Sequence, residues 1–179
     1  MPTIPLYEDG ASPEQEALAA EIRVRRGGDL LNLDRMLLHS PPFAQGWTYF
    51  MPKVRADLSI SQRESELIIC AVARINNADY EFHQHAPLLL KAGASAAQLA
   101  ALGDVEAACT DAALFSPAER AILRVTLEST RDVRVSEPAI AALREFFPDP
   151  RSVVEVVGVI AAYNMVSRVL VALDIPIES

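Results

Sequence analysis

The chain has 179 residues, of which 51% are hydrophobic and only seven are glycine. A chain of this length and composition can bury a hydrophobic core of its own, and it is too apolar for the disordered class. Its net charge of −8 argues against a nucleic-acid partner, because proteins that bind the phosphate backbone present an excess of Lys and Arg. We therefore predict one globular domain over residues 1–179 that binds no nucleic acid.

The chain ends and the apolar stretches show no sign of export or membrane insertion. Residues 1–11 form a predicted N-terminal extension, which has neither the basic nor the apolar segment of a signal peptide. The longest apolar stretch, from Val153 to Leu173, is interrupted by Glu155, Asn164 and Arg168. These features predict a cytoplasmic protein that has no membrane partner.

A series of serine residues marks the predicted helix starts. A serine at the N-cap accepts a hydrogen bond from a free backbone N–H, and proline is favoured in the first turn that follows. Such serines stand before helix-forming segments at Ser12, Ser61, Ser95, Ser116 and Ser136. The apolar spacing between these caps and the next glycine or proline predicts helices over residues 13–26, 30–38, 42–55, 64–75 and 78–92, a short helix from 95 with a less regular continuation to 108, and further helices from 116, over 137–147 and over 151–173.

Two local features bear on the fold class. Pro52 lies inside the third predicted helix, and it is expected to kink or end that helix because proline lacks a backbone donor and clashes with the preceding turn. Strand-like alternation is confined to Val133 to Val135, which is too short to carry weight. Helices that start at short intervals, with no strand between them, predict an all-α fold.

The most informative segment is residues 61–93, which we predict to be a pair of helices separated by a break at Asn76-Asn77. The first helix contains the unbroken apolar run from Leu67 to Ala73, which indicates burial on all sides. On the second helix, Glu81 and His85 lie four residues apart in the middle of an otherwise apolar arc. Residues with this spacing on a helix can touch, so we predict that the two side chains pair in the interior.

Burying an acid and an imidazole is costly, and the pair therefore requires an explanation. One explanation is structural, since some buried polar pairs only support packing. The other is functional, because ionisable groups with perturbed pKa values cluster at active sites. If the helix pair folds back as a hairpin, Glu66 approaches Glu81 and His85, although an acid near a helix start can also simply favour the helix dipole. We interpret Glu66, Glu81 and His85 as catalytic.

The order of these residues resembles a known superfamily. Glu66 is followed by the sequence Ala78-Asp79-Tyr80-Glu81 and, after three more residues, by His85. This pattern is similar to the carboxymuconolactone decarboxylase and alkylhydroperoxidase D-like superfamily, and the wider similarity runs from about residue 31 to residue 173. The peroxidase branch carries Cys-x-x-Cys-x-x-x-His on this helix, and its two cysteine positions correspond to Ala78 and Glu81. The chain therefore resembles the decarboxylase branch, which lacks the cysteine pair.

The resemblance implies a compact helical domain, a homo-oligomer with sites near subunit contacts, and a reaction without metal or other cofactor. The leading reaction is decarboxylation of a small organic acid or lactone of the carboxymuconolactone type, as in the breakdown of aromatic compounds. In that reaction His85 would donate or relay the proton, Glu81 would orient it, and Glu66 would complete the relay. The alternatives are an alkylhydroperoxidase-like peroxidase, a hydrolase or isomerase, and a non-catalytic oligomeric member.

Four further residues are weaker candidates for substrate binding. Tyr80 and His83 fall on the outer face of the second motif helix, where we expect them to be solvated or to reach a neighbouring subunit. Asn164 and Arg168 lie one turn apart on the apolar C-terminal helix. Arg168 could bind a substrate carboxylate or an acid at an interface.

Neither the histidines nor the cysteines have the spacing of a metal site. A single histidine, His85, lies on the inner arc of the motif helix, and a structural or catalytic metal needs a full ligand set. Cys70 and Cys109 stand alone in apolar or alanine-rich surroundings, so we expect reduced thiols. No metal is predicted.

Overall fold

The computed structural model describes residues 2–10 and 12–178, and this part of the chain is all-α, as predicted. Met1, Ala11 and Ser179, which belong to the predicted domain, lie outside the described residues. The described residues form ten α-helices and one 3-10 helix, with no strand among them. The helices are α1 (Pro13–Arg26), α2 (Asn32–Leu37), α3 (Pro41–Ala56), α4 (Gln62–Ile75), α5 (Asp79–Lys91), α6 (Ala96–Ala101), the 3-10 helix Leu102–Asp104, α7 (Val105–Ala108), α8 (Pro117–Asp132), α9 (Glu137–Phe146) and α10 (Pro150–Ala172).

The predicted serine caps account for five of the helix starts. Ser12, Ser61, Ser95, Ser116 and Ser136 each accept a hydrogen bond from a backbone N–H in the first turn of α1, α4, α6, α8 and α9. In α4, α6 and α8 a Glu or Gln side chain also bonds back to the backbone of the cap, which completes a capping box. Each cap stabilises its helix by about 1 kcal/mol. These starts are therefore local properties of the sequence.

The structure differs from the prediction in α2 and α3. α2 is shorter than the predicted segment 30–38, because residues 30, 31 and 38 lie outside the helix. α3 continues through Pro52 and ends four residues later, although proline was expected to kink or end it. The helix persists because Trp47, Met51 and Val54 are buried along one face. Burial of that face outweighs the backbone hydrogen bond that proline cannot make.

α4 is the central helix of the fold. All of its residues from 65 to 73 are buried, as the apolar run predicts, and the helix packs against α5, α8 and α10. Its side chains divide between two hydrophobic clusters: Ile68 and Val72 join the larger one, while Leu67 and Ala71 join the smaller one beside α5, α7 and α8. Since each large apolar side chain contributes about 1.5–3 kcal/mol when buried, α4 is held firmly on every side. A polar group on this helix therefore has a fixed position.

α10 is a core helix in spite of its length. By length and composition alone it could cross a membrane, but 56% of its most apolar stretch is buried against the rest of the protein. Its polar residue Asn164 finds partners inside the fold. Asn164 accepts a hydrogen bond from Asn76 Nδ2 at 3.0 Å and donates one to Thr130 Oγ1 at 3.0 Å. It thereby joins α10 to α8 and to the end of α4.

The first and last segments of the described residues lie against the helices. Tyr7 in the N-terminal extension is 1% exposed, so the extension is part of the packed structure. After α10 the chain returns across α2 and α5, where Glu178 accepts hydrogen bonds from the backbone N–H of Asn32 at 2.8 Å, from Tyr80 and from Gln84. The C-terminal segment thus covers one side of the motif helix.

Candidate active site

The α4–α5 hairpin brings together two of the predicted catalytic residues. His85 Nδ1 lies 2.7 Å from Glu66 Oε2, and both side chains are buried, with relative exposures of 7% and 5%. This contact confirms the predicted fold-back of the two helices. Because a carboxylate can only accept a hydrogen bond, Nδ1 is the protonated ring nitrogen and donates to Glu66. Nε2 is then the ring nitrogen with no protein partner among the described residues.

Glu81 does not pair with His85, and the predicted contact between them is wrong. Among the described residues, the hydrogen-bond partner of Glu81 is Ser167 of α10, whose Oγ lies 3.1 Å from both carboxyl oxygens. Glu81 and His85 do not meet because their side chains bond to different helices. His85 bonds to Glu66 of α4, and Glu81 bonds to Ser167 of α10. Glu66, and not Glu81, is therefore the carboxylate that contacts the His85 ring.

The environment of Glu81 favours its neutral form. The side chain is 1% exposed, and this burial raises the pKa of Glu81 well above its usual value, while the hydrogen bond from Ser167 opposes the rise only in part. No cation forms a salt bridge with Glu81 among the described residues. A carboxyl group in this state is suited to donating a proton near neutral pH.

Glu81 and the Glu66–His85 pair line the same cavity, which has a volume of about 530 Å³. Its polar lining includes Glu66, Glu81, His85 and Tyr163, and further polar and charged side chains contribute as well. Its apolar lining comes from α2, α3, α5 and α10 and includes Leu33, Trp47, Met51, Leu88, Val166 and Leu170. A cavity of this size and character is typical of a site for a small organic molecule.

Two residues of the site, Tyr163 and Ser167, escaped the sequence-based prediction. The ring of Tyr163 meets His85 edge-on, with ring centroids 5.1 Å apart at an interplanar angle of 87°, so it helps to restrain the imidazole. Tyr163 and Ser167 lie one turn apart on α10 and face the motif helix. The spacing was available in the sequence, but the long apolar stretch around it gave no reason to single out these two residues.

Tyr80 is the weaker candidate that the structure brings to the cavity. The helical wheel placed it on the outer face, but it is 6% exposed and lines the cavity, because the C-terminal segment covers that face of α5. Its hydroxyl donates to Glu178. Burial and this carboxylate raise the pKa of Tyr80, so the phenol stays protonated.

The other weaker candidates lie outside the cavity. His83 is exposed and does not contribute to the cavity wall. Asn164 is buried among α4, α8 and α10, and Arg168 donates from Nη1 to the side chain of Asn164 at 2.9 Å. The positive charges that do line the cavity belong to Arg25, Arg26 and Arg55, which the sequence analysis did not identify.

Thiol and metal chemistry have no assembled site among the described residues. Cys70 and Cys109 are both free and buried, and burial together with the nearby Glu66 raises the pKa of the Cys70 thiol, which opposes formation of a nucleophilic thiolate. Ala78, at one of the two cysteine positions of the peroxidase branch, is buried at the start of α5. In the part of the chain that the structure describes, no three His, Cys, Asp or Glu side chains are grouped so that they could hold a metal ion.

The central part of the chain matches a known protein family. The model of the carboxymuconolactone decarboxylase family matches residues 41–128, a range that contains Glu66, Glu81 and His85 but neither Arg25 nor the site residues of α10. A search among curated proteins finds no match.

Solved structures share the whole fold at low sequence identity. The alkylhydroperoxidase AhpD core protein of Ralstonia eutropha JMP134, described as an uncharacterized peroxidase-related protein, has a TM-score of 0.81 at 19% identity, over 99% of this chain and 93% of its own. A peroxidase-related protein of Silicibacter sp. TM1040 has a TM-score of 0.78 at 19% identity, over 99% and 94%. A cysteine-to-alanine variant of the debrominase Bmp8, in complex with 2,3,4-tribromopyrrole, has a TM-score of 0.78 at 15% identity, over 100% and 95%. At these identities the similarity establishes the fold.

Proposed function

Because the chain belongs to the carboxymuconolactone decarboxylase and alkylhydroperoxidase D-like superfamily, we propose that it is a cofactor-independent acid–base enzyme acting on a small organic acid or lactone. The leading reaction is a decarboxylation of the carboxymuconolactone type, in the breakdown of aromatic compounds. One observation carries this proposal: a carboxyl group held neutral by burial and a histidine oriented by a second carboxylate line the same cavity.

The reaction requires a proton donor and a place for a developing negative charge. The bond between the substrate carbon and its carboxylate breaks, CO2 leaves, and the electron pair moves into a conjugated carbonyl group to form an enolate. A proton from the protein then adds to carbon and completes the product, and the protein regains its proton from water. Glu81 is suited to donate that proton, because its buried carboxyl favours the protonated form.

The Glu66–His85 pair takes part in the same proton transfer as Glu81. With Nδ1 bonded to Glu66, the Nε2 atom of His85 is free to take up or deliver a proton at the substrate. The contact with Tyr163 restrains the ring, so the nitrogen is held in one orientation. In this mechanism Glu81 donates the proton and the Glu66–His85 pair resupplies it, whereas the sequence suggested His85 as the donor or relay with Glu81 orienting it.

The cavity volume and lining support a substrate with a small planar ring. A volume of about 530 Å³ lies within the range of small-molecule sites, and Trp47, Met51 and Leu88 provide apolar walls. The debrominase Bmp8 has a similar fold and is known in complex with 2,3,4-tribromopyrrole, a small aromatic ring. We further propose that the protein works in the cytoplasm as a homo-oligomer.

The test is CO2 release from a panel of carboxymuconolactone-type lactones and β-keto acids. We expect the wild-type protein to turn over at least one of them, and Glu81→Gln to lower that rate by about 10²–10⁴-fold, because it keeps the shape and removes the acid. His83→Gln is the matched control, since it changes an exposed residue of the same helix outside the cavity. Wild-type rates in Glu81→Gln, or the absence of turnover across the panel, would contradict the proposal.

A further inference from the structure

The cavity carries a cluster of arginine side chains that the proposed proton chemistry does not use. Arg25 and Arg26 come from the last turn of α1, and Arg55 comes from the last turn of α3. All three line the cavity that contains Glu81 and His85. Basic residues are favoured near the C-terminal ends of helices, but this preference does not explain why three from two helices should face one cavity.

The carboxylate available to this cluster is already occupied. Asp34 is 1% exposed and accepts hydrogen bonds from Arg26 Nη2 at 2.8 Å and from the backbone N–H of Leu31 at 3.0 Å. Arg25 lies 3.8 Å from the same carboxylate, which is beyond hydrogen-bonding distance. Arg55 has no hydrogen bond or ion pair with any of the described residues. Arg55 is therefore free to bind another anion, and Arg25, whose ion pair with Asp34 is loose at 3.8 Å, keeps its hydrogen-bond donors available for one.

The charges of Arg26 and Arg55 both act on Arg25, which indicates that the three side chains lie near one another. Burial, then the charge of Arg26 and, more weakly, that of Arg55 lower the pKa of Arg25, while Asp34 opposes the shift, so Arg25 is repelled by both neighbouring arginines. The charge of Arg55 also reaches Tyr163, where it opposes the rise in pKa that burial causes. An anion bound between Arg25 and Arg55 would relieve the repulsion and would lie close to the proposed catalytic groups.

We propose that Arg25 and Arg55 form an anion subsite of the cavity, which binds a carboxylate of the substrate and selects small acids over neutral molecules of the same shape. This inference names the substrate class of the proposed reaction and rests on the same cavity. Guanidinium groups suit the role because their planar donors match the two oxygens of a carboxylate.

The bound carboxylate is the one that the substrate keeps. A carboxyl group that leaves as CO2 loses its negative charge, so strong pairing with arginine would stabilise the ground state more than the transition state. The departing carboxylate therefore belongs against the apolar wall. The substrate accordingly carries a second acidic group, which Arg25 and Arg55 hold in place while the reaction occurs at Glu81 and His85.

Binding can be measured without knowing the natural substrate. The chain contains one tryptophan, Trp47, which lines the cavity, so its fluorescence reports directly on ligand entry. The probes are benzoate and benzamide, which have nearly the same shape and differ in charge. The variants are Arg25→Met, Arg55→Met and the double variant, with Arg144→Met as the control, because Arg144 is an exposed arginine of α9 outside the cavity.

We expect the wild-type protein to bind benzoate more tightly than benzamide. Each cavity variant should weaken benzoate binding by about tenfold or more, as loss of a hydrogen bond to a charged group implies, and should leave benzamide binding within about twofold. Arg55→Lys keeps the charge without the planar fork and should have a smaller effect than Arg55→Met. Arg144→Met should change neither ligand. Circular dichroism of each variant confirms that it is folded.

Three results would overturn the subsite: a wild-type protein without preference for benzoate, a double variant that binds benzoate normally, or equal weakening of both ligands. Its failure can be distinguished from failure of the proposed reaction. Selective, arginine-dependent benzoate binding without CO2 release from the lactone and keto-acid panel would retain the subsite and reject the reaction. Normal CO2 release in the double variant would retain the reaction and reject the subsite.

Discussion

Glu66 and His85 form the strongest side-chain contact of the site, and the contact has a measurable energetic signature. The nitrogen and oxygen atoms are 2.7 Å apart and almost out of contact with bulk water. Loss of one member leaves the other buried without its partner, which is strongly destabilising, whereas apolar replacement of both is often tolerated. We therefore expect the two residues to be coupled in stability.

Double-mutant cycles should assign the partner of His85. We expect His85→Leu alone to destabilise the protein more than Glu66→Leu/His85→Leu, with a coupling energy of at least about 1 kcal/mol between these positions. The matched cycle with Glu81→Leu should give a coupling below about 0.5 kcal/mol, because Glu81 bonds to Ser167 and not to His85. Urea unfolding of the singles and doubles measures both values. Stronger coupling of His85 to Glu81 than to Glu66 would contradict the observed geometry.

The buried carboxyl of Glu81 should make stability depend on pH. Its folded-state pKa is raised, so the native state keeps a proton that the unfolded state releases above about pH 4.3. This contribution to stability is fully present below the unfolded pKa and is lost as pH rises toward the folded pKa, with a slope of up to about 1.4 kcal/mol per pH unit. We expect the wild-type protein to lose stability relative to Glu81→Gln between pH 5 and 7. Urea unfolding at several pH values checks this, and a pH-independent difference would show that Glu81 ionises normally.

The α4–α5 hairpin and α10 build the site together. α4 supplies Glu66, α5 supplies Glu81 and His85, and α10 supplies Tyr163 and Ser167. Hydrogen bonds outside the cavity also fix the positions of these helices relative to one another. Asn164, one residue after Tyr163, does not line the cavity and bonds to the end of α4 and to α8.

Asn164 is expected to act in folding and not in ligand binding. Asn164→Ala removes the shared partner of Asn76 and Thr130, and we expect it to reduce the free energy of unfolding by about 1–3 kcal/mol. Benzoate affinity measured by Trp47 fluorescence should stay the same, because Asn164 does not line the cavity. A loss of benzoate binding in a variant with wild-type stability would restore the substrate-binding role that the sequence suggested.

For the molecule as a whole, the prediction concerns the thiol chemistry of the peroxidase branch, which we expect this protein to lack. We expect no peroxide turnover with a dithiol donor, since Ala78 and Glu81 occupy the positions of the cysteine pair and burial raises the pKa of Cys70. A coupled peroxidase assay measures this, with Cys70→Ala and Cys109→Ala beside the wild-type protein. Turnover that disappears in Cys70→Ala alone would show that this thiol has taken over the role.

The predicted homo-oligomer also concerns the molecule as a whole. α3 leaves three aromatic side chains partly or largely exposed: Phe43, Tyr49 and Phe50. Exposed aromatic residues of this kind are enriched at subunit contacts. We expect light scattering to show an assembly of more than one chain, and Tyr49→Glu to shift it toward the single chain without loss of helical content. A wild-type protein that runs as a monomer would contradict the prediction.

The sequence by itself determined the helical class, most helix starts and the central hairpin. These features depend on local hydrogen bonds, as at Ser61 and Ser116, and on the burial of long apolar runs such as residues 67–73, so short segments suffice to predict them. The tertiary structure decided the partners of the buried polar groups. Glu81 and His85 are equally spaced for a mutual bond, and the choice between that bond and the bonds to Ser167 and Glu66 depends on how α10 and α4 approach α5. The tertiary structure also decided the position of Arg25 and Arg55. In the sequence they are ordinary basic residues at helix ends, and only the packing of α1 and α3 brings both to one cavity.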